Sequence, residues 1–167
     1  MRAAVALACL AMTATACTDT VAGTASPASD VTPSSTNADV FAGLNACQLV
    51  EQLTSGQGFG PGENISRRNE CDATKFDFAT YGLALDPVQG LTEFAAANDS
   101  VVNLSINGRN AMQANIPTGG CAIAIQVTEH ARAMVTVSMS RYSQEAEACP
   151  NAKTFAEKVE PLLPKAQ

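Results

Sequence analysis

Six cysteines and a single histidine are the residues of this chain best suited to chemistry. A cysteine can be a nucleophile, a metal ligand, a lipid acceptor or half of a disulfide, and its surroundings decide which. Cys9 lies inside an apolar N-terminal run. Cys17 directly follows Ala14-Thr15-Ala16, a small-x-small site. Cys47, Cys71, Cys121 and Cys149 are spread through the part of the chain with globular patterning. No CxxC pair is present among these four, so a zinc site has no sequence support. His130 is flanked by Glu129 and Arg132. A hydrolytic triad needs a nucleophile and an orienting acid around such a histidine, and the sequence offers only nearby Ser and Glu residues of no special spacing. Arg67-Arg68 and Arg109 could meet an anionic ligand, but isolated surface arginines are the usual explanation. No EF-hand pattern is present, and neither GxGxxG nor GxxxxGK[ST] occurs. No metal and no cofactor is therefore expected.

The N-terminus decides which cysteines count as structure. Met1-Arg2 carries one positive charge, and Ala3 to Ala16 is an uncharged run of small and apolar residues. That is the pattern of an export signal, and it is too short to span a bilayer, which takes about 20 apolar residues. Lipoprotein signals require cysteine immediately after the cleavage site, because the thiol receives the diacylglycerol. Ala14-Thr15-Ala16-Cys17 resembles such a lipobox, so residues 1–16 are expected to be a lipoprotein signal peptide and Cys17 the lipidation site. Ordinary secretion, with Cys17 as an odd thiol, is the alternative.

Loss of residues 1–16 removes Arg2 and no acid, leaving a net charge near −7. No Lys or Arg occurs between Arg2 and Arg67. Nucleic-acid binding demands clustered basic residues, so no nucleic-acid partner is expected. Nor is there a polybasic patch to hold an anionic membrane; attachment to a bilayer would rest on the acylated Cys17. Two acyl chains anchor stably where one does not. Residues 17–38 continue as Thr, Ser, Ala, Pro, Asp, Gly and Val, which lack the apolar bulk to offset ordering entropy. They read as a disordered stalk, and about 20 such residues span roughly 25 Å.

Residues 39–167 read as one domain. Ala42, Ala46, Leu49, Val50 and Leu53 follow the spacing of one helical face, with Asp39 as the expected N-cap and Ser55-Gly56 as the end. Gly56, Gly58, Gly60, Pro61 and Gly62 read as a mobile connection. Beyond Cys71 the period becomes two, and Phe76 and Phe78 alternate with Lys75 and Asp77 in a strand running on towards Leu85. Leu91, Phe94 and Ala95 suggest a short helix. Val102, Leu104 and Ile106 alternate up to Asn107-Gly108, a hairpin signal, and Met112, Ala114 and Ile116 form the returning strand.

Cys121, Ile123, Ile125 and Val127 share one face of the next strand, as do Ala133, Val135, Val137 and Met139 of the one after it. The intervening side chains are small or polar. A last helix begins at Pro150, which suits a first helical position. Ala152, Phe155, Ala156, Val159 and Leu163 line its inner side, with Lys153 and Glu157 as an outer i, i+4 pair. The expected fold is α+β: a mostly antiparallel meander packed against N- and C-terminal helices. Four cysteines allow three pairings. Cys47–Cys71 and Cys121–Cys149 are favoured, since each ties a helix to a nearby strand across a modest loop.

Taken in order, several features resemble a family of small actinobacterial lipoproteins known only as a domain of unknown function. They are Asn45-Ala46-Cys47 opening a helix, Cys71 before a strand, and Asn107-Gly108-Arg109 with Ala111 after the turn. Cys121 leading a Val/Ile-rich strand and Cys149 before a helix reaching Leu163-Pro164 complete the set. The resemblance covers roughly residues 41–165. It implies a membrane-anchored envelope protein and carries no catalytic residues. More distantly the layout is similar to the disulfide-bearing extracellular sensor domains of actinobacterial Ser/Thr kinases.

The resulting expectation is a non-enzymatic binding or interaction domain on the outer face of the cytoplasmic membrane, with an envelope protein or small ligand as its partner. An envelope hydrolase using His130 or carboxylates, or a sensor-like ligand-binding domain, is the alternative. The lack of Trp, with Tyr81 and Tyr142 the only tyrosines, argues against a rich aromatic platform for carbohydrate.

Overall fold

The computed structural model describes residues 39–117 and 119–165. The expected signal peptide, Cys17 and the stalk lie outside the described residues, as does Thr118 of the Pro117–Gly120 turn. Three helices and a seven-stranded, wholly antiparallel sheet make an α+β fold. In chain order these are α1 (Ala46–Thr54), β1 (Glu63–Asn64), β2 (Glu70–Lys75), β3 (Ala79–Asp86) and α2 (Leu91–Ala97). They continue with β4 (Val102–Ile106), β5 (Arg109–Asn115), β6 (Cys121–Thr128), β7 (Ala131–Met139) and α3 (Ala148–Val159). The strand order is β1-β2-β3-β7-β6-β5-β4. Strands β4 to β7 form the expected meander. The β2–β3 hairpin joins it through β3 against β7, so the connection carrying α2 crosses to the far edge of the sheet.

Packing follows the period-two pattern. Leu83, Val135 and Ile123 lie side by side on neighbouring strands, and all three are buried in the main core beneath α1 and α3. Val50 of α1 and Ala152, Phe155, Ala156 and Val159 of α3 fill that core from the other side. The opposite face is only partly covered. There Phe94 of α2 packs on Ala114, Ala122 and Ala124, forming a second, smaller core. Arg132 holds this helix in place: its guanidinium donates to Gly90 O at 2.9 Å and Gln89 Oε1 at 2.8 Å. It also lies 5.7 Å from the centre of the Phe94 ring. A β-carbon at Gly90 would collide with Glu129 O, so the start of α2 is seated against the β6–β7 turn.

Both expected disulfides are present, Cys47–Cys71 with Cα atoms 5.0 Å apart and Cys121–Cys149 with 4.9 Å. The first ties α1 to β2; the second ties β6 to the first turn of α3.

Four local expectations are corrected. Helix α1 begins at Ala46, capped by Asn45, whose side chain accepts from Gln48 N at 3.1 Å. Asp39 instead accepts from Phe41 N in a preceding turn, and Ala42 is exposed there. Phe76-Asp77-Phe78 is a hairpin turn between β2 and β3, with Asp77 at φ 56° and Phe76 94% exposed. Aspartate tolerates this left-handed conformation, so the chain turns without glycine while its apolar alternation runs on. Helix α3 starts at Ala148, which puts Cys149 inside it and Pro150 at its third position; an amide there has no intrahelical partner to lose. Lys153 and Glu157 are both exposed, and no ion pair joins them.

Candidate functional site

The residues singled out by type do not converge. His130 sits exposed in the two-residue turn between β6 and β7, and its side chain makes no hydrogen bond among the described residues. Arg109 is held by its own chain, donating to Glu160 Oε1 at 2.9 Å and to Pro164 O at 2.8 Å. Arg68 pairs with Glu70 at 2.8 Å, and Arg67 is exposed. The four domain cysteines are consumed in the disulfides. Among the described residues no three of His, Cys, Asp and Glu come together in a way that could hold a metal ion. No described helix is long and apolar enough to cross a membrane.

The partly covered face of the sheet holds a polar row. Asp72, Gly82 and Thr136 are register neighbours on β2, β3 and β7, and a β-carbon at Gly82 would collide with both Thr136 Oγ1 and Asp72 Oδ1. Glycine is therefore what allows a carboxylate and a hydroxyl to lean over the same strand. Burial lifts the Asp72 carboxyl above its ordinary value, and the charge of Glu70 adds to the shift.

Two cavities are better candidates. One, of about 250 Å³, lies at the end of the sheet where residue 39 begins the described chain, lined by Asp39, Arg68, Asn69, Glu70, Leu85, Asp86, Pro87 and Val88. Its polar groups already have partners. Arg68 and Glu70 pair with each other, Asp39 caps Phe41 N and Asp86 Oδ1 accepts from Val88 N at 3.0 Å. Asn69 bridges Leu44 O and Ala46 N, each at 2.8 Å.

The other, of about 260 Å³, opens where the end of α1, the β2–β3 hairpin and α3 meet. Four aromatic rings converge on it. Phe59 lies 4.8 Å from Tyr81 between ring centres, Tyr81 lies 5.0 Å from Phe155, and Phe78 stands edge-on to Phe59 at 6.3 Å. Lys75 and Lys158 complete the lining with Leu53, Thr54, Gln57, Asn151 and Thr154. Neither lysine forms an ion pair among the described residues. Lys75 lies 5.3 Å from the centre of the Phe78 ring. Tyr81 makes no side-chain hydrogen bond there, and burial pushes its phenol above the ordinary value, so it stands as a neutral donor.

Local structure explains the convergence. The glycine-rich segment is mostly exposed but held at two points: Gly60 N donates to Thr74 O at 2.8 Å and Gly62 N to Glu51 Oε1 at 3.1 Å. A β-carbon at Gly62 would sit 2.9 Å from Cys71 Sγ, so only glycine lets the chain pass over the disulfide. That path delivers Phe59 to the cavity. Phe155 and Lys158 are one helical turn apart on α3, the ring buried and the lysine exposed, and both line the cavity. The two disulfides fix α1 and α3, the helical walls, against the sheet.

No family model matches the chain, and comparison with curated proteins and with solved structures finds no match.

Proposed function

We propose that this chain is an envelope lipoprotein whose domain binds a small ligand without chemically transforming it, in the cavity ringed by Phe59, Phe78, Tyr81 and Phe155. The observation that carries the reading is the convergence of four aromatic rings and two lysines on one concavity. Ligand sites combine aromatic side chains with polar groups that fix orientation. Among the described residues, two lysine side chains and a phenol there have no charged or hydrogen-bonding partner. The lipobox-like Ala14–Cys17 pattern, the stalk at residues 17–38 and the resemblance to small actinobacterial lipoproteins support the anchor. Two disulfides suit the oxidising conditions outside the cytoplasm. In this reading the acylated Cys17 holds the domain at the outer face of the cytoplasmic membrane, with a soluble envelope metabolite as partner.

Mass spectrometry of the mature protein tests the anchor: an N-terminal diacylglyceryl Cys17 is expected, and a free thiol there contradicts it. A thermal-shift screen of small metabolites against the full chain tests the binding reading. Compounds that raise the melting temperature should lose that effect in Phe59→Ser. Hits indifferent to that substitution would place binding elsewhere.

A further inference from the structure

We infer that the ligand of the aromatic cavity is a small organic anion: a carboxylate, or an equivalent oxyanion, carried on an apolar ring. The inference rests on the binding reading above and names its ligand class. The chain contains four lysines in all, Lys75, Lys153, Lys158 and Lys165, and a formal net charge of −6. Two of those four line this one cavity, and no Asp or Glu does. In an acidic protein, a concavity with cations and no acid is a local reversal of the overall field, and such a pocket concentrates anions. Lysine ammonium groups bind oxyanions as point charges with several donor directions.

Size and shape limit the rest of the ligand. At about 260 Å³ the space falls just below the roughly 300–1,000 Å³ of pockets that take drug-sized molecules. It suits a single ring with a short side chain. The tilted pair Phe59–Tyr81, with planes at 57°, and the similar pair Tyr81–Phe155, at 56°, form an angled wall against which another flat ring can pack edge-to-face or offset. Tyr81 can add one neutral donor to the acid group. A cationic ring would meet two like charges, and a neutral one would leave both ammonium groups unmatched.

Isothermal titration of the full chain with phenylacetate, 2-phenylethanol, phenethylamine and acetate tests this. These probes share a ring, a charge, or both, in different combinations. Phenylacetate should bind, and its affinity should fall about tenfold in Lys75→Gln and again in Lys158→Gln, the loss expected for one charge-assisted contact each. It should also weaken as salt rises. 2-Phenylethanol and acetate should each bind at least tenfold more weakly than phenylacetate, and phenethylamine not detectably. Circular dichroism of the lysine variants should match the wild type, so that a loss of affinity is not a loss of fold. Equal binding of 2-phenylethanol, or unchanged phenylacetate affinity in both lysine variants, would overturn the anionic assignment while leaving the cavity a ligand site. Binding of acetate as tight as phenylacetate would overturn the ring requirement. Failure of all four probes would overturn the inference, while the binding reading is decided separately by the thermal-shift screen.

Discussion

The two cavities differ by little in volume, about 260 against 250 Å³, and by a great deal in chemistry. At the sheet end near residue 39, carboxylates, an arginine and an asparagine satisfy one another or cap turns. Between α1, α3 and the β2–β3 hairpin, two lysines and a phenol lie beside aromatic rings without such partners among the described residues. A void becomes a binding site when the groups around it keep interactions that the chain itself does not satisfy. The first cavity is lined by polar groups that the chain itself satisfies; the second is the one proposed above as a ligand site.

That contrast predicts unequal responses to substitution. Phe155 is 3% exposed and packs on Tyr81, so Phe155→Ala should cost about 3–5 kcal/mol in urea unfolding. Val88, 73% exposed beside the other cavity, should cost little when replaced by Ala. Comparable losses would contradict the difference between the two. Removing Cys47–Cys71 by a double Cys→Ser change opens a loop of 24 residues and should cost about 2–4 kcal/mol, read as a fall in melting temperature. It should also weaken phenylacetate binding, because α1 is a wall of the aromatic cavity; retention of full affinity would show that this wall needs no staple.

A pH titration separates two carboxylates outside both cavities. Asp72 has its folded value raised by burial and by Glu70. The native state then holds its proton longer than the unfolded chain, and stability falls as pH rises from the ordinary aspartate value through the raised one. Asp72→Asn should flatten that fall. Glu93 is shifted the opposite way, chiefly by its own backbone N–H and then by that of Gly90, to which it bonds at 2.7 Å. Its contribution is present above the ordinary glutamate value and lost as pH drops through the lowered one. Glu93→Gln should remove it. A slope of the same sign from both residues would contradict the assignment. The smallest effect belongs to the partnered cavity: Arg68 is 70% exposed, and Arg68→Ala should cost under about 1 kcal/mol with no change in phenylacetate affinity.

Much of the scaffold was legible from local pattern. The alternation of Ile123, Ile125 and Val127 with smaller residues marks a buried face, Asn107-Gly108 marks its hairpin, and helix-to-strand distances favour the observed disulfides. The turn at Asp77 was hidden because Phe76 and Phe78 keep the strand period through it. The pairing of β3 with β7 joins segments far apart in sequence, and nothing local encodes it. The cavity was the least legible feature. Its rings come from a glycine-rich loop, a hairpin, a strand and a helix, and each alone looks like a core residue. One signal was available: Lys75 precedes Phe78 and Lys158 follows Phe155 by three residues, in a chain with only four lysines.

The most direct test of the central claim is amide chemical-shift mapping of the full chain during titration with phenylacetate. The predicted result is a saturable set of shifts centred on Phe59, Lys75, Tyr81, Phe155 and Lys158, with Arg68, Asp86 and Val88 unmoved. Shifts centred on Arg68, Asp86 and Val88 instead would contradict it.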